Sequence, residues 1–449
     1  MLYYSTNKNS DPVSFSEALL RGQAPDKGLY IPERIPKLSA REISEFSSMA
    51  YHEIAAKVMF KFLEAQIERE KLEELTRDAY NFDIPLEHVT GRQFVMRLDQ
   101  GPTASFKDFA ARMMGRLMNH YLEQKNRELL ILTATSGDTG SAISHAFLGL
   151  DRIKAVVLFP KDEVTTRQRK QMTTLGQNIQ VLSLDGKFDN CQALVKQAFA
   201  DPDLAHLNLS SANSINIGRL IPQSVYYFYA YSMLAARGEK ITFSVPSGNF
   251  GDMMGGVLAM KMGLPVDRFV IAVNENDEFP KYLETGIYNK IEPSRNCISS
   301  AMNVGHPSNL ARLVDLYGGQ MDEVGNIAKP ADTDAMRREI WSTSVSDIQT
   351  RKTIQDAWSQ FELLLEPHGA VGWAGLQKYI SEKGAGSENI LSVVLETAHP
   401  AKFPEEINSL LGFDPELPPS LQGIEEKEEQ YDSIPTDYKE FKRYLLSKY

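Results

Sequence analysis

A lysine in the first turn of a helix is a poor choice for structure and a useful one for chemistry. The segment Gly101-Pro102-Thr103-Ala104-Ser105-Phe106-Lys107-Asp108 offers one. Ser105 is a good cap residue, and Asp108 three positions later comes close to a capping box. Lys107 then lies in the first turn, where the helix dipole disfavours a cation by a few tenths to about 1 kcal/mol. Penalising the ammonium makes the neutral, nucleophilic amine more available. The plainer alternative is a surface lysine whose stem covers apolar area, and the spacing alone does not separate the two.

Two later segments can hold anions. Thr133-Ala134-Thr135-Ser136-Gly137-Asp138-Thr139-Gly140 follows an apolar run and opens a helical pattern, and Val245-Pro246-Ser247-Gly248-Asn249-Phe250-Gly251-Asp252 repeats that arrangement. Glycines allow the sharp turn, and free N–H groups at the helix start can bind an anion. Thr135, Ser136 and Thr139 add hydroxyl donors. Neither segment has the Lys-Ser/Thr of a nucleotide P-loop or the spacing of a dinucleotide fingerprint. Each alone is equally well a tight connection with Asp as dipole partner. Two Ser-Gly turns in one chain point to two anionic groups at one sheet edge, where open α/β sheets place ligands.

Asn213, Ser214, Asn216 and Arg219 precede a long helical pattern. Arg219 either pairs with a carboxylate or phosphate or lies on the helix surface. Thr397 follows the last apolar strand and either bonds a ligand ring atom or caps the strand. His368 and His399 each adjoin a proline and read as structural. The eight histidines form no metal cluster, and Cys191 and Cys297 lack metal spacing, so no metal is expected.

These segments need a frame. Apolar runs at 94–98, 129–134, 153–159, 179–184, 241–245, 269–273 and 390–395 predict strands. Helical periodicity predicts helices from Phe106 through Leu117 and at 139–147, 166–175, 190–199, 217–236, 250–262, 308–317, 333–342, 352–365 and 370–381. Strands without alternation, interleaved with helices, predict parallel sheets covered on both faces. The first ninety residues read as mainly helical, with a short strand at 28–32. The tail from 415 is polar and proline-rich before a terminal helix. The expected domains are 1–93 (accessory), 94–240 (lysine and first turn), 241–410 (second turn) and 411–449 (extension).

At 449 residues the chain is too long for one core, and its 42% hydrophobic and 24% charged content suits a globular protein. A net charge of -11 disfavours nucleic acid and anionic lipid, yet a local site can still be positive. The run Glu425-Glu426-Lys427-Glu428-Glu429 reads as solvated. The opening Met1-Leu2-Tyr3-Tyr4-Ser5-Thr6-Asn7-Lys8 is unlike a signal peptide, and no apolar run is long enough for a membrane span. A cytoplasmic monomer or homodimer is expected.

The three chemical segments, in this order and spacing, resemble the threonine synthase family. The resemblance extends to Ser14-Phe15-Ser16-Glu17-Ala18-Leu19-Leu20, Gly28-Leu29-Tyr30-Ile31-Pro32, the stretch Ser299-Ser300-Ala301-Met302-Asn303-Val304-Gly305-His306-Pro307-Ser308-Asn309, and Thr397-Ala398-His399-Pro400-Ala401-Lys402-Phe403, and runs from about residue 3 to 410. It implies a fold-type-II, tryptophan-synthase-β-like α/β enzyme that uses pyridoxal 5'-phosphate. It implies that Lys107 carries the cofactor as a Schiff base, that Gly248, Asn249, Phe250, Gly251 and Asp252 hold its phosphate, and that Thr397 lies near its pyridine nitrogen. It places the substrate carboxylate at Thr135, Ser136, Gly137, Asp138 and Thr139, with Ser105 beside them, and the substrate phosphate at Asn216 and Arg219. Where the family often has Asp, this chain has Asn303, which removes an acidic role there. The implied reaction converts O-phospho-L-homoserine and water to L-threonine and phosphate. A phospho-lyase releasing a keto acid, and a non-catalytic ligand-binding relative, are the alternatives.

Overall fold

The computed structural model describes residues 1–64, 66–135 and 137–449. Leu129–Ala134, Ile241–Pro246 and Ser392–Glu396 have every residue buried, so each strand needs cover on both faces. Two large sheets provide it. The six-stranded sheet runs Ile340–Ser344, Val266–Val273, Ile241–Pro246, Ser392–Glu396, Gln93–Arg97, Leu86–Thr90. Its neighbours are parallel except for the antiparallel outer pair Leu86–Thr90 and Gln93–Arg97. The five-stranded sheet runs Asp432–Ile434, Ile179–Leu184, Ile153–Pro160, Leu129–Ala134, Leu209–Ser210, all parallel. Helices cover both, as expected of an α/β chain.

Sheet membership crosses all three expected boundaries, since Leu86–Thr90, within the expected accessory domain, is an outer strand of the six-stranded sheet. Gln93–Arg97 precedes the Lys107 helix but pairs with Ser392–Glu396, in the sheet that carries the second turn. Asp432–Ile434, from the tail, closes the edge of the five-stranded sheet, and the helix Tyr438–Lys448 buries Phe441 and Leu445 against its core.

The structure corrects four local expectations. The long helix expected at 217–236 is broken into Ile217–Leu220, a 3-10 turn Ile221–Ser224 and Val225–Leu234. Pro222 lacks an N–H and its ring crowds the preceding turn, so the α register cannot run through. The helix expected at 333–342 ends at Glu339, and Ile340–Ser344 becomes an edge strand, as its Ile-Trp-Ser-Thr run prefers. Tyr3–Ser5, not expected as a strand, pairs antiparallel with Tyr30–Pro32. The acidic run is not simply solvated: Glu425 bonds Arg167 at 2.8 Å and Glu429 bonds Arg169 at 2.9 Å.

The N-terminal helices Phe15–Arg21 and Tyr51–Leu63 meet the Lys107 helix through aromatic contacts, Phe15 on Tyr121 and Tyr51 on Phe109, and Arg69–Ala79 packs beside it. Tyr51 meets Tyr80, Phe109 and Tyr229 edge-on, and Phe109 meets Tyr226. Among the described residues no helix is long and apolar enough to cross a membrane, and no group of three His, Cys, Asp or Glu could hold a metal. Cys191 and Cys297 are free and buried.

Candidate active site

The two glycine turns and Thr397 follow the C-terminal ends of the strands Leu129–Ala134, Ile241–Pro246 and Ser392–Glu396, and Lys107 lies beside Asp138 of the first turn. The helix Lys107–Lys125 begins at Lys107 itself. Ser105 does not cap it. Asp108 instead reaches back, accepting bonds from Thr103 N at 2.8 Å and Thr103 Oγ1 at 2.7 Å. A β-carbon on Gly101 would come within 2.4 Å of that carboxylate, so glycine is required there. Ser105 serves the backbone: it bridges Ala398, with Phe106 N donating to Thr397 O at 2.9 Å and His399 N to Ala104 O at 3.0 Å. These bonds set Thr397 against the turn that carries Lys107. The turn is tight enough to hold Ala104 at φ 53°, in the left-handed region.

The two glycine turns differ in detail. In the first, Thr135 Oγ1 accepts from Gly137 N at 3.0 Å and Gly140 N at 2.8 Å, which shapes the start of the helix Asp138–Phe147. Gly137 has φ 134°, and a β-carbon there would come within 2.6 Å of Gln168. Thr139 is half-buried. Ser136, expected to hold the substrate, lies outside the described residues. In the second turn, a β-carbon on Gly248 would come within 2.9 Å of Ala301 O, and Phe250 has φ 62°. That twist opens the helix Gly251–Met262, whose first N–H groups are available to an anion. Asn249 is exposed, and its Oδ1 accepts from Ser308 Oγ at 3.3 Å. Its carbonyl accepts from Asn309 Nδ2 at 3.0 Å.

Charged side chains of both signs crowd the space between the turns. Lys107 Nζ lies 3.6 Å from Asp138 Oδ2, and the Lys107 side chain is 12% exposed. Lys402, fully buried, donates to Asp138 Oδ1 at 2.6 Å and to Thr103 O at 2.8 Å. Arg219 is buried; its Nη1 donates to Ala212 O at 2.8 Å and its Nε has no partner. Burial lowers the basicity of Lys107; Asp138 opposes this, and Lys402 and Arg219 reinforce it. Burial also pushes the Arg219 guanidinium down to about 10. Burial works to raise the Asp138 carboxyl, but Lys402 and Lys107 outweigh it and hold the group well below the usual carboxylate range.

Other predicted residues take supporting positions. The Asn216 side chain donates to Leu19 O and Ser211 O, both at 2.9 Å, and accepts from Gly218 N at 2.9 Å. It braces the loop beneath Arg219 rather than presenting a free amide. Thr397 Oγ1 is 3.4 Å from Glu366 Oε1. Glu366 accepts from His368 N at 2.7 Å, from Gly369 N at 2.9 Å and from the His368 ring at Nδ1. His368 Nε2 accepts from Ala301 N at 3.1 Å. One neutral tautomer, protonated on Nδ1, satisfies both ring bonds. His399 caps the 3-10 turn Pro400–Lys402 by accepting from Ala401 N, a structural role.

Sequence reasoning assigned no role to Lys402, Gln168, Glu366 or Asn309, and it read His368 as structural. Lys402 lies inside a recognised segment, but nothing in periodicity marks a lysine as buried. Chemically, the arrangement offers a buried amine for an aldehyde, a helix start cradled by close backbone for a phosphate, and an unpartnered guanidinium nitrogen for a second anion. These features fit a phosphorylated aldehyde cofactor and an anionic amino-acid substrate.

Comparisons with known proteins cover nearly the whole chain. Residues 2–80 match the family described as Threonine synthase N terminus, residues 84–396 match Pyridoxal-phosphate dependent enzyme, and residues 369–445 match Threonine synthase, C-terminal. The chain is 36% identical over 455 residues to a threonine synthase of Escherichia coli strain K12, covering 100% of both. Threonine synthase from Brucella melitensis, solved with pyridoxal phosphate bound, superposes with a TM-score of 0.93 at 35% identity, covering 100% of this chain and 99% of that one. The yeast threonine synthase gives 0.91 at 30% identity, with the same coverage. Maize serine racemase, at 14% identity and a TM-score of 0.53, covering 73% of this chain and 92% of that one, shares the fold alone.

Proposed function

We propose, for a chain that belongs to the threonine synthase family and is a pyridoxal-phosphate-dependent enzyme, that it converts O-phospho-L-homoserine and water to L-threonine and phosphate. The observation that carries the reading is the Lys107 amine, 12% exposed and set beside Asp138, with Lys402 and Arg219 near it, between two helix-opening glycine turns.

In this reading Lys107 is the covalent anchor of the cofactor. Gly248, Asn249, Phe250 and Gly251 hold its phosphate through the free N–H groups at the start of the second helix. Thr397 meets the ring nitrogen with a neutral hydroxyl. When bound, the cofactor supplies an electron sink for negative charge at the substrate carbons.

The chain's own groups do the rest. The Lys107 amine, when free, would move protons at the substrate's α and β carbons, which requires an amine that is neutral near the working pH. Burial and the neighbouring cations favour that form. The first turn, from Thr135 to Thr139, receives the substrate carboxylate. Arg219, with its free Nε, receives the phosphate that leaves from the γ carbon. The division at 93, 240 and 410 is our reading of the domains, with the strands Leu86–Thr90, Gln93–Arg97 and Asp432–Ile434 exchanged across it.

The test is the visible spectrum of the holoenzyme before and after O-phospho-L-homoserine, with products assayed. Stoichiometric threonine and phosphate are expected. A keto acid without threonine overturns the synthase reading in favour of a phospho-lyase.

A further inference from the structure

Asp138 stands between two amines and is not shared equally. Its Oδ1 is 2.6 Å from Lys402 Nζ, while its Oδ2 is 3.6 Å from Lys107 Nζ. Gln168 Nε2 also donates to Oδ1, at 3.0 Å, holding that oxygen on the Lys402 side. Lys402 has no exposed surface, and its other bond, to Thr103 O, ties it to the loop that delivers Lys107. Burying an ammonium costs several kcal/mol unless it is paired. A lysine with no contact to solvent, bonded to the anion nearest the reactive amine, calls for a purpose beyond packing.

The charged surroundings of Lys107 define what Asp138 is worth. Facing it are Asp138 of the helix Asp138–Phe147, Lys402, Arg219 of the helix Ile217–Leu220, Glu366 ahead of the helix Pro367–Lys383, and Asp252 of the helix Gly251–Met262. Glu366 is bonded to His368 and to two backbone N–H groups, and Asp252 to two tyrosines. Asp138 is therefore the anion whose position decides the state of the Lys107 amine. A carboxylate in direct contact would hold that amine as an ammonium, which neither attacks an aldehyde nor accepts a proton.

We propose that Lys402 is a positioning residue that claims the Asp138 carboxylate, so that the Lys107 amine remains a neutral nucleophile and base. The inference rests on Lys107 being the cofactor lysine. Without Lys402, Asp138 turns fully to Lys107, and the amine is held protonated to higher pH.

The experiment reads Lys107 directly. The full chain, freed of cofactor, is labelled competitively with acetic anhydride across a pH series, and the Lys107 peptide is quantified by mass spectrometry. Lys402→Met is expected to move the labelling midpoint up by about one pH unit, slowing labelling roughly tenfold at a fixed pH below it. Lys402→Arg keeps the wild-type midpoint, and Asp138→Asn lowers it. In the Asp138→Asn background, Lys402→Met produces a much smaller shift, because Lys402 acts through the carboxylate. Lys402→Gln, which can still donate to Thr103 O, is the second variant should the methionine fail to fold, and the same upward direction is expected. An unmoved or lowered midpoint in a folded Lys402 variant overturns the proposal, as does an equal shift in both Asp138 backgrounds. Borohydride trapping of the holoenzyme separates the two failures: cofactor found on a lysine other than Lys107 sinks the assignment of that lysine instead.

Discussion

The two glycine turns are built alike and charged differently. Each follows a fully buried strand, opens a helix and places an aspartate at its start, Asp138 in one and Asp252 in the other. Asp138 is ringed by Lys402, Lys107 and Gln168 and stays ionised. Asp252 accepts from Tyr226 and Tyr227, and burial, against those bonds and the charge of Lys107, raises it from 3.8 to about 6. One turn thus presents a fixed anion amid cations, and the other a carboxyl that is easily protonated, beside N–H groups open to a phosphate. The same local motif therefore does not fix a chemical role. The side chains packed on it from distant parts of the sequence do.

The sharpest way to break the comparison is to remove the amine on which it centres. Lys107→Ala should cut turnover by at least about a thousandfold while leaving the fold intact; an active, folded alanine variant would refute the covalent role. Asp138→Asn strips the first turn of its anion and leaves buried ammonium groups unpaired. It should destabilise the cofactor-free protein by about 3–5 kcal/mol in urea unfolding, and a change below about 1 kcal/mol would mean the ion pairs contribute little.

The two aspartates should also respond to pH with opposite sign. Asp252 binds its proton more tightly in the folded state, so its stabilisation is complete below 3.8 and is lost as pH rises through about 6. The loss is on the order of 3 kcal/mol. Asp138 is depressed, so its contribution is present above the ordinary carboxylate value and lost as pH falls. Melting curves of the cofactor-free chain should show Asp252→Asn flattening the decline between pH 4 and 6. A parallel decline in wild type and variant would place that titration elsewhere. The smallest effect belongs to Asn249→Ala, which should weaken cofactor retention by about 1 kcal/mol, roughly fivefold in Kd. Unchanged affinity would remove that exposed amide from the phosphate site.

Much of the frame was legible because buried parallel strands announce themselves as apolar runs. Leu129–Ala134 and Ile179–Leu184 fall on the boundaries expected of them. The edges were harder. Ile340–Ser344 and Asp432–Ile434 are short, partly polar, and paired on one side only, so their tertiary neighbours decide their conformation. In the candidate site, Lys107, Arg219, Thr397 and both turns stood out because glycine, hydroxyl and cation patterns are local. Lys402 and Glu366 were missed because a charged residue's burial depends on partners such as Asp138 and His368 that lie far off in sequence.

The pairing of Gln93–Arg97 with Ser392–Glu396 has a consequence for how the protein comes into being. On the ribosome, the strand that leads into the lysine loop must wait for residues 392–396 before its parallel neighbour emerges, and Asp432–Ile434 seals the other sheet later still. Nascent chains arrested short of residue 392 would carry an open apolar edge, the kind of surface that chaperones shield. The sheet that carries the second turn is therefore not closed around Gln93–Arg97 until Ser392–Glu396 has been made.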